Sequence, residues 1–185
     1  MLCRQFGISH DNFEENDMSK TLWAPWRMDY ILGPKSEKCV FCEACEGSCE
    51  RGEENLVLAA CPEAFVIMNR YPYTHGHIMV VPTRHLSNLE EMTPKEQSVF
   101  FELVVKAQAA LREALKPGGL NMGMNLGKAA GAGIADHLHI HIVPRWDGDT
   151  NFMPLLADAR VMPEHMGETY RTLVPFFEKM GSKQK

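Results

Sequence analysis

The sequence predicts one domain of mixed α and β structure without an internal repeat, and three observations support this prediction. Short apolar segments bounded by turn residues occupy residues 56–61, 64–69 and 77–82. Apolar residues recur at helical spacing over 94–115, and histidine alternates with apolar residues over 137–143. Short apolar segments between turns are typical of strands, and a spacing of three or four is typical of an amphipathic helix. With 185 residues, the chain is long enough to bury one sizeable core.

The composition restricts the partners of the protein. Its net charge is only −5 and no block of lysine or arginine occurs, so neither nucleic acid nor an anionic membrane is expected as a partner. No apolar run is long enough for a secretion signal or a membrane span. We therefore expect a cytoplasmic protein, in which local groups would attract any anionic substrate.

The first third of the chain is predicted to contain a short helix followed by a loop. Residues 21–33 predict the helix, because Pro25 suits a first turn and Gly33 followed by Pro34 ends it. The cysteine-rich stretch 39–54 is polar and contains glycine, so it is predicted to be a loop.

The remainder of the chain alternates strands with helices. The three short apolar segments are predicted strands separated by turns. The long helix begins at Thr93 and Pro94, a good cap and first residue, and ends before Pro-Gly-Gly at 117–119. Residues 120–126 form the next predicted strand, and a further helix is expected near 165–180.

Three histidines stand at alternate positions of the last predicted strand, residues 137–143. Successive side chains of a strand point to opposite faces, so His137, His139 and His141 share one face while the apolar residues between them pack. Neighbours on one face are about 7 Å apart, so three in a row span too far to bind one ion easily. A solvated polar face that happens to use histidine is the alternative. Pro144 lacks an amide hydrogen and is expected to end the strand.

Imidazole chemistry and a glycine-rich loop beside the histidines indicate a phosphate group as the reacting partner. A neutral imidazole is a nucleophile near neutral pH, and its attack on phosphorus would give a phosphoramidate. Residues 125–136, the candidate phosphate loop, supply glycines that let backbone N–H groups approach an anion, with Lys128 in the loop and Arg145 just beyond the strand. A plain connection between two strands is the alternative interpretation of this loop.

Four cysteines lie close together in the predicted loop. Cys39, Cys42, Cys45 and Cys49 have the spacing of a ferredoxin-type iron–sulfur run, although Glu50 stands where a proline is expected. Free thiols are a second interpretation, and a disulfide framework is not expected in a chain without a secretion signal. The spacing alone leaves the first two interpretations open.

The last predicted strand resembles the signature of the histidine-triad family, in which three histidines alternate with hydrophobic residues. Its sequence is HLHIHIV at 137–143, and residues 69–85 upstream resemble the strand-turn-strand of that family, so the resemblance covers residues 38–146. Residues 22–31 and 144–154 are similar to the branch of dinucleoside-polyphosphate phosphorylases, also called ATP adenylyltransferases. The resemblance implies an α+β fold with an antiparallel sheet, one long helix and one or two shorter ones, usually in a homodimer.

The resemblance also implies a mechanism and the residues that perform it. His139 would attack the α-phosphorus and hold AMP covalently, while its other ring nitrogen donates to a backbone carbonyl within the triad. His141 would contact the phosphate oxygens. Asn69 matches the position that binds the ribose hydroxyls, and Asn125 matches the one that contacts phosphate near the leaving group. The implied substrate is therefore a nucleotide.

Further substrate contacts are implied around these four residues. Val40, Phe41 and Ile67 match positions of the family's adenine pocket, although isolated apolar residues of this kind are equally expected in a core. Gly131 and Gly133 belong to the candidate phosphate loop, and Gly133 stands where better-known branches have a glutamine that touches phosphate. This departure leaves the second substrate open.

The same resemblance implies a structural zinc site. Cys39 and Cys42 are similar to a knuckle with which some members bind zinc, and the other ligands there correspond to His85 and His137. Such a set gives a tetrahedral Cys2His2 site that ties the N-terminal segment to the sheet. His77 fits a Gly-His position of the family, for which only a structural role is expected.

The resemblance predicts a nucleotidyltransferase of the phosphorylase type, acting on dinucleoside polyphosphates through AMP-His139. A hydrolase, an AMP-amine phosphoramidase and a nucleotide-binding module with little turnover are the alternatives. In this interpretation residues 1–20 form a disordered extension, 21–160 the catalytic domain with its metal knuckle at 39–49, and 161–185 a C-terminal helix and tail.

Overall fold

The structure describes most of the chain from Lys38 onward. The predicted N-terminal extension and the predicted helix after it lie outside the described residues, as do Gly131 and Gly133. The computed structural model describes residues 38–45, 49–130, 134, 136–149 and 164–182.

A five-stranded sheet forms the centre of this described part. Its strand order is β1-β2-β3-β5-β4, and every neighbouring pair is antiparallel. The predicted α+β class with an antiparallel sheet is confirmed. The strands are β1 (Val57–Ala60), β2 (Ala64–Met68), β3 (Ile78–Pro82), β4 (Gly119–Gly123) and β5 (Ile140–Arg145).

Helices of very different length accompany the sheet. In the described ranges they are α1 (Val40–Ala44), α2 (Pro94–Leu115) and α3 (Met166–Ser182), with short 3-10 segments at Leu89–Glu91 and Lys128–Ala130.

α2 begins and ends as its sequence predicts. The Oγ1 of Thr93 accepts from the N–H of Glu96 at 3.2 Å, and the Glu96 carboxylate accepts from the N–H of Thr93 at 2.7 Å. This reciprocal pair satisfies N–H groups that the start of a helix leaves without partners. At the other end, Lys116 adopts a left-handed φ of 48° and the helix stops.

One face of the sheet packs against the helices. α2 contacts β2, β3 and β5, while α3 contacts β1 and α2. Paired residues on neighbouring strands point to the same face. The pairs Ile78–Ile142 and Val80–Ile140 are buried in the core, so the apolar residues between the histidines do pack as predicted.

The opposite face carries a row of three residues that runs across the sheet. Ile67 on β2 pairs with Met79 on β3, and Met79 pairs with His141 on β5. Since paired residues share a face, the row brings the last histidine of the triad level with side chains from two other strands. This face carries the cavity described below.

The predicted loop at 39–54 contains a helix, which corrects the prediction. Cys39 is the N-cap of α1 and Cys42 lies inside it. Positions three apart lie on one side of a helical turn, so α1 presents both sulfurs in the same direction. A single helical turn is too short to leave a periodic pattern, and polarity alone therefore suggested a loop.

β5 begins later and ends later than predicted. It starts at Ile140, because the N–H of Leu138 donates at 2.7 Å to the carbonyl of Leu86, in the loop after β3, instead of joining the ladder. It also passes through Pro144 to Arg145, since only β4 flanks it at that end. A strand with a neighbour on one side tolerates proline.

The last helix and the edge strand lie near their predicted positions. The helix expected near 165–180 is α3, and the Tyr170 hydroxyl on it donates to the carbonyl of Val57 at 3.0 Å, which ties α3 to β1. The strand predicted over 120–126 is shorter, because β4 ends at Gly123 with its pairing to β5. None of the helices in the described ranges is long and apolar enough to span a bilayer.

Candidate active site

A cavity of about 390 Å³ opens between α1 and the row of residues on the sheet. Its wall is mostly apolar with a few polar groups, which is the usual composition of a small-molecule site. Every predicted catalytic or substrate-binding residue in the described ranges lines it: Val40, Phe41, Ile67, Asn69, Asn125, His139 and His141.

His139 is oriented by the backbone of the triad itself. Its Nδ1 lies 2.9 Å from the carbonyl oxygen of His137. A carbonyl can only accept, so Nδ1 carries the proton and Nε2 keeps a free lone pair. Burial lowers the pKa of His139 below its ordinary value, although the carbonyl contact opposes this effect. The ring is therefore neutral and presents Nε2 as a nucleophile.

His141 is oriented by a second histidine, His77, in the turn before β3. The Nδ1 of His77 accepts from the backbone N–H of Tyr73 at 3.1 Å, so the neutral ring carries its proton on Nε2. That Nε2 lies 2.9 Å from the Nδ1 of His141 and donates to it. His141 therefore carries its own proton on Nε2, which is the form that donates a hydrogen bond to an anion.

His77 is a candidate functional residue for which the sequence interpretation expects only a structural role. Its ring is 1% exposed and stacks on the Tyr73 ring at 4.8 Å between centroids. The amide nitrogen of Asn69 also approaches the Nδ1 of His77, at 3.3 Å, while its amide oxygen accepts from the N–H of Tyr71 at 2.9 Å. A Gly-His pair in a turn was the available signal, but only the pairing of β3 with β5 brings His77 to His141.

Phe41 forms a wall between the cavity and a group of cysteines and histidines. Its ring is 1% exposed, and its centroid lies 5.1 Å from that of His139 and 5.4 Å from that of His137. Phe41 thus belongs both to the core and to the lining of the cavity, while its neighbour Val40 is largely exposed. Of the two interpretations offered for Phe41 from the sequence, burial supports a place in the core, and its place in an adenine pocket stays a prediction.

The cysteines of α1 and two histidines form a group that can hold a metal ion. Cys39, Cys42, His85 and His137 offer four ligand atoms that all lie within 4.8 Å of one another. The Sγ of Cys39 is 3.2 Å from the Nδ1 of His137, and the Sγ of Cys42 is 3.3 Å from the Nδ1 of His85. Bond lengths of about 2.0–2.3 Å in a tetrahedral zinc site place such ligand atoms roughly 3.3–3.8 Å apart. The donor set and its spacing fit this kind of ion.

The backbone of Pro82 prepares His137 for this role. The Nε2 of His137 lies 2.9 Å from the Pro82 carbonyl oxygen and donates to it, which leaves the lone pair on Nδ1 for a metal. Burial, more than any other effect, lowers the pKa of His137 to about 4, so the ring is neutral at neutral pH. A neutral ring whose outer nitrogen donates to a carbonyl is the usual state of a histidine ligand.

The other two cysteines of the run lie apart from this group. The sulfurs of Cys45 and Cys49 lie beside each other instead, and the Cα atoms of these two residues are 4.3 Å apart. The four cysteines of the sequence run are therefore divided between two structures. They do not form the four-thiolate set that an iron–sulfur cluster requires.

The positive groups expected beside the histidines do not line the cavity. Arg145 donates at 2.7 Å to the carboxylate of Asp149 and at 2.9 Å to the side chain of Asn121. Lys128, in a 3-10 turn of the candidate phosphate loop, is also absent from the cavity wall. Among the described lining residues, Arg70 is the only lysine or arginine. An anion bound in this cavity would therefore be held largely by hydrogen-bond donors.

The chain is similar in sequence and in fold to known proteins. Residues 51–148 match the HIT domain family, and the chain belongs to that family. A protein of Mycobacterium tuberculosis named AP-4-A phosphorylase is 36% identical over 165 residues, which cover 86% of this chain and 85% of that protein.

Solved structures of this family agree with the fold. A zinc-bound histidine triad family protein from Mycobacterium smegmatis has a TM-score of 0.61 at 26% identity, over 80% of this chain and 98% of that one. A hypothetical histidine triad nucleotide-binding protein from Sulfolobus tokodaii has a TM-score of 0.62 at 24% identity, over 79% of this chain and 96% of that one. The likeness to the Sulfolobus tokodaii protein supports the fold and nothing beyond it.

Proposed function

We propose that this chain is a nucleotidyltransferase that cleaves dinucleoside polyphosphates through AMP bound covalently to His139, with inorganic phosphate as the acceptor. The observation that carries the proposal is the 2.9 Å contact from the Nδ1 of His139 to the carbonyl of His137, which leaves Nε2 as a nucleophile at the cavity. The 36% identity to a protein named AP-4-A phosphorylase supports this choice of substrate and acceptor.

The reaction divides one displacement at phosphorus into two. In the first step the lone pair on the Nε2 of His139 forms a bond to the α-phosphorus, and the bond from that phosphorus to the bridging oxygen breaks. The nucleoside polyphosphate leaves as an anion and needs no proton. The imidazole becomes cationic, and its Nδ1–H bond to the His137 carbonyl strengthens as the charge develops.

The second step restores the enzyme. An oxygen of inorganic phosphate attacks the same phosphorus, and the bond from that phosphorus to the Nε2 of His139 breaks. The AMP unit, now joined to the phosphate, leaves as ADP, and the ring is neutral again. His141 donates from its Nε2–H to a phosphate oxygen in both steps, which stabilises the charge that develops there. Asn125 contacts phosphate near the leaving group and Asn69 the ribose. The base lies against the apolar wall that includes Phe41.

Product identification after incubation with diadenosine tetraphosphate tests the proposal. We expect ADP and ATP in equal amounts, and only when inorganic phosphate is present. AMP with ATP would identify water as the acceptor, and ADP alone would indicate cleavage at the central bridge. Either result would overturn the phosphorylase assignment. Cleavage of an AMP-amine conjugate without cleavage of this substrate would assign a phosphoramidase instead.

We also propose that the group formed by Cys39, Cys42, His85 and His137 binds zinc. Two thiolates and two imidazoles without an open position are typical of a structural zinc site. The zinc-bound relative from Mycobacterium smegmatis supports this choice of ion. The ligands come from α1, from the loop after β3 and from the start of the triad. Metal binding therefore crosslinks three segments and holds α1 against the cavity.

We further propose that the chain forms a homodimer through β4. Among the described strands, β4 lies at an edge of the sheet and has β5 as its neighbour, and Met122 on it is exposed. Phe101 and Val105 are exposed apolar residues on α2. Open edges and apolar surface residues favour pairing with a second copy. Light scattering should give the mass of a dimer for the wild type and a smaller mass for Met122→Lys, and a monomeric wild type would refute this assembly.

A further inference from the structure

Asn55 joins three segments at one end of the cavity. Its Nδ2 donates to the carbonyl of Glu50 at 3.0 Å and lies 3.5 Å from the carbonyl of Ala44, the last residue of α1. Its Oδ1 accepts from the N–H of Val57, the first residue of β1, at 3.1 Å. The side chain also lines the cavity. One amide thus connects the helix of the cavity wall, the segment after it and the first strand.

Leu56, the next residue, has a left-handed backbone with a φ of 63°. This conformation is unfavourable for a residue with a Cβ and persists only where the surroundings impose it. Here the carbonyl of Leu56 accepts from the N–H of Met68 at 3.0 Å, and the next N–H of the chain, that of Val57, donates to the side chain of Asn55. The Leu56 side chain is 6% exposed and lines the cavity. An imposed backbone conformation therefore places a buried apolar side chain at the surface of the cavity.

The position of Leu56 in the sheet places it away from the reacting phosphorus. β1 is separated from β5 by β2 and β3, so its start lies about three strand spacings, or roughly 14 Å, from the strand of His141. The bond from Met68 sets Leu56 beside the end of β2, where Asn69 follows. A group attached to a ribose near Asn69 can reach Leu56, whereas a phosphorus bonded to His139 cannot.

We infer that Leu56 determines which nucleobases the cavity accepts and that Asn55 is the positioning residue that holds it there. The inference rests on the proposed nucleotide-binding function. Asn55 acts on the left-handed turn through Val57 and on the end of α1 through Ala44, so it sets the spacing between two sides of the cavity. The Leu56 surface is apolar and offers no hydrogen bond, so it selects by size and shape and favours a purine over the smaller pyrimidine.

Titration calorimetry with AMP and with ribose 5-phosphate tests this inference on the full chain. Ribose 5-phosphate has the sugar and the phosphate without the base. The ratio of the two Kd values therefore measures how much the base contributes to binding. We expect Asn55→Ala to raise the Kd for AMP about tenfold and the Kd for ribose 5-phosphate about twofold or less. Leu56→Ala should reduce the preference for AMP over CMP, because the surface that favours the larger base is lost.

Two further variants make the result specific. Asn55→Asp keeps an oxygen that accepts from Val57 but sets a second acceptor against the carbonyls of Glu50 and Ala44, so it should change the ratio in the same direction as Asn55→Ala. Asn88→Ala is the matched control, since Asn88 makes a comparable set of hydrogen bonds, to Ser87 and Glu91, in a turn that does not line the cavity. Its ratio should equal that of the wild type.

The outcomes separate this inference from the proposed function. Equal losses for both ligands, or unchanged AMP binding in Asn55→Ala, would overturn the inference while AMP binding by the wild type left the proposed function standing. A wild type that binds neither ligand would overturn both. If thermal melting shows that Asn55→Ala does not fold, the ratio measured for Asn55→Asp decides in the same way.

Discussion

The Nε2 of His77 lies 2.9 Å from the Nδ1 of His141, and this contact joins the turn before β3 to the triad strand. The backbone N–H of Tyr73 donates to the other ring nitrogen of His77 at 3.1 Å, so the direction of the bond is determined. His77 donates and His141 accepts. The proton of His141 is thereby held on the nitrogen available to substrate, as an acidic residue holds the histidine of a hydrolase triad.

Replacement of His77 should impair the chemical step more than substrate binding. Because His141 loses the donor that sets its tautomer, we expect His77→Leu to lower kcat by roughly tenfold to a hundredfold, with a smaller change in KM. His77→Gln should retain more activity, since its amide can still donate. Steady-state kinetics measures both, with the exposed His165→Gln as control. Equal kcat values for the two His77 variants would exclude the positioning role.

Removal of the proposed nucleophile should abolish turnover without abolishing binding. We expect His139→Ala to lower kcat by at least about a thousandfold, because no other group replaces a nucleophile that forms a covalent intermediate. AMP binding should stay measurable, since Asn69 and Phe41 are unchanged. Mass spectrometry of a quenched reaction should find the added mass of AMP on wild type and not on the variant. Release of ADP and ATP by the variant at the original rate would identify another nucleophile.

Much of the fold can be predicted because each long element follows a local pattern. The cap at Thr93 and the helical spacing after it define α2, and short apolar segments between turns define β1, β2 and β3. α1 is different, since five residues do not complete a recognisable period. Its contacts run from Cys39 and Cys42 to histidines far along the chain, and no local pattern records them.

The candidate site is harder to predict, because its geometry depends on pairing between distant strands. The triad histidines stand out by their spacing, and the resemblance supplies roles for Asn69 and Phe41. The resemblance marks His77 only as a structural residue, and neither the spacing nor the resemblance marks Asn55. The partner of His77 is 64 residues away, and Asn55 reaches a carbonyl 11 residues back across the end of α1. In sequence each of these residues is only a polar group near a turn.

The glycine before His77 should be sensitive to substitution. Gly76 has a φ of 71°, and a Cβ there would overlap the side chain of Leu115. We expect Gly76→Ala to lower the free energy of unfolding by about 1–3 kcal/mol and to lower kcat as well, since His77 is displaced. Gly119→Ala is the matched control, because nothing lies within 4 Å of its added Cβ. Denaturant unfolding compares them, and equal losses of stability would contradict this account.

The cap of α2 should contribute stability that depends on pH. Hydrogen bonds from Arg84, followed by those from Thr93, lower the pKa of Glu96 to about 2 from its ordinary value of 4.5. Because this pKa is lower in the folded state, the ionised Glu96 stabilises the fold at pH values above about 4.5. This stabilisation is lost as the pH falls towards 2. We therefore expect Glu96→Gln to lower Tm at neutral pH, with the difference from wild type shrinking in acid. A Tm difference that is constant across this range would argue against the charge.

Loss of one cysteine of α1 should remove the metal and loosen the cavity wall. Elemental analysis of the wild type should find about one zinc per chain, and Cys39→Ser should hold almost none and melt at a lower temperature, because a four-ligand site loses a thiolate and α1 loses its crosslink. Cys61→Ser is the control, since the Cys61 sulfur donates to the carbonyl of Ala64 at 3.2 Å and a serine hydroxyl can keep that contact. Equal metal loss in both variants would reject the site, and so would the visible absorption of an iron–sulfur cluster in the wild type. Neither result follows from a zinc ion held by Cys39, Cys42, His85 and His137.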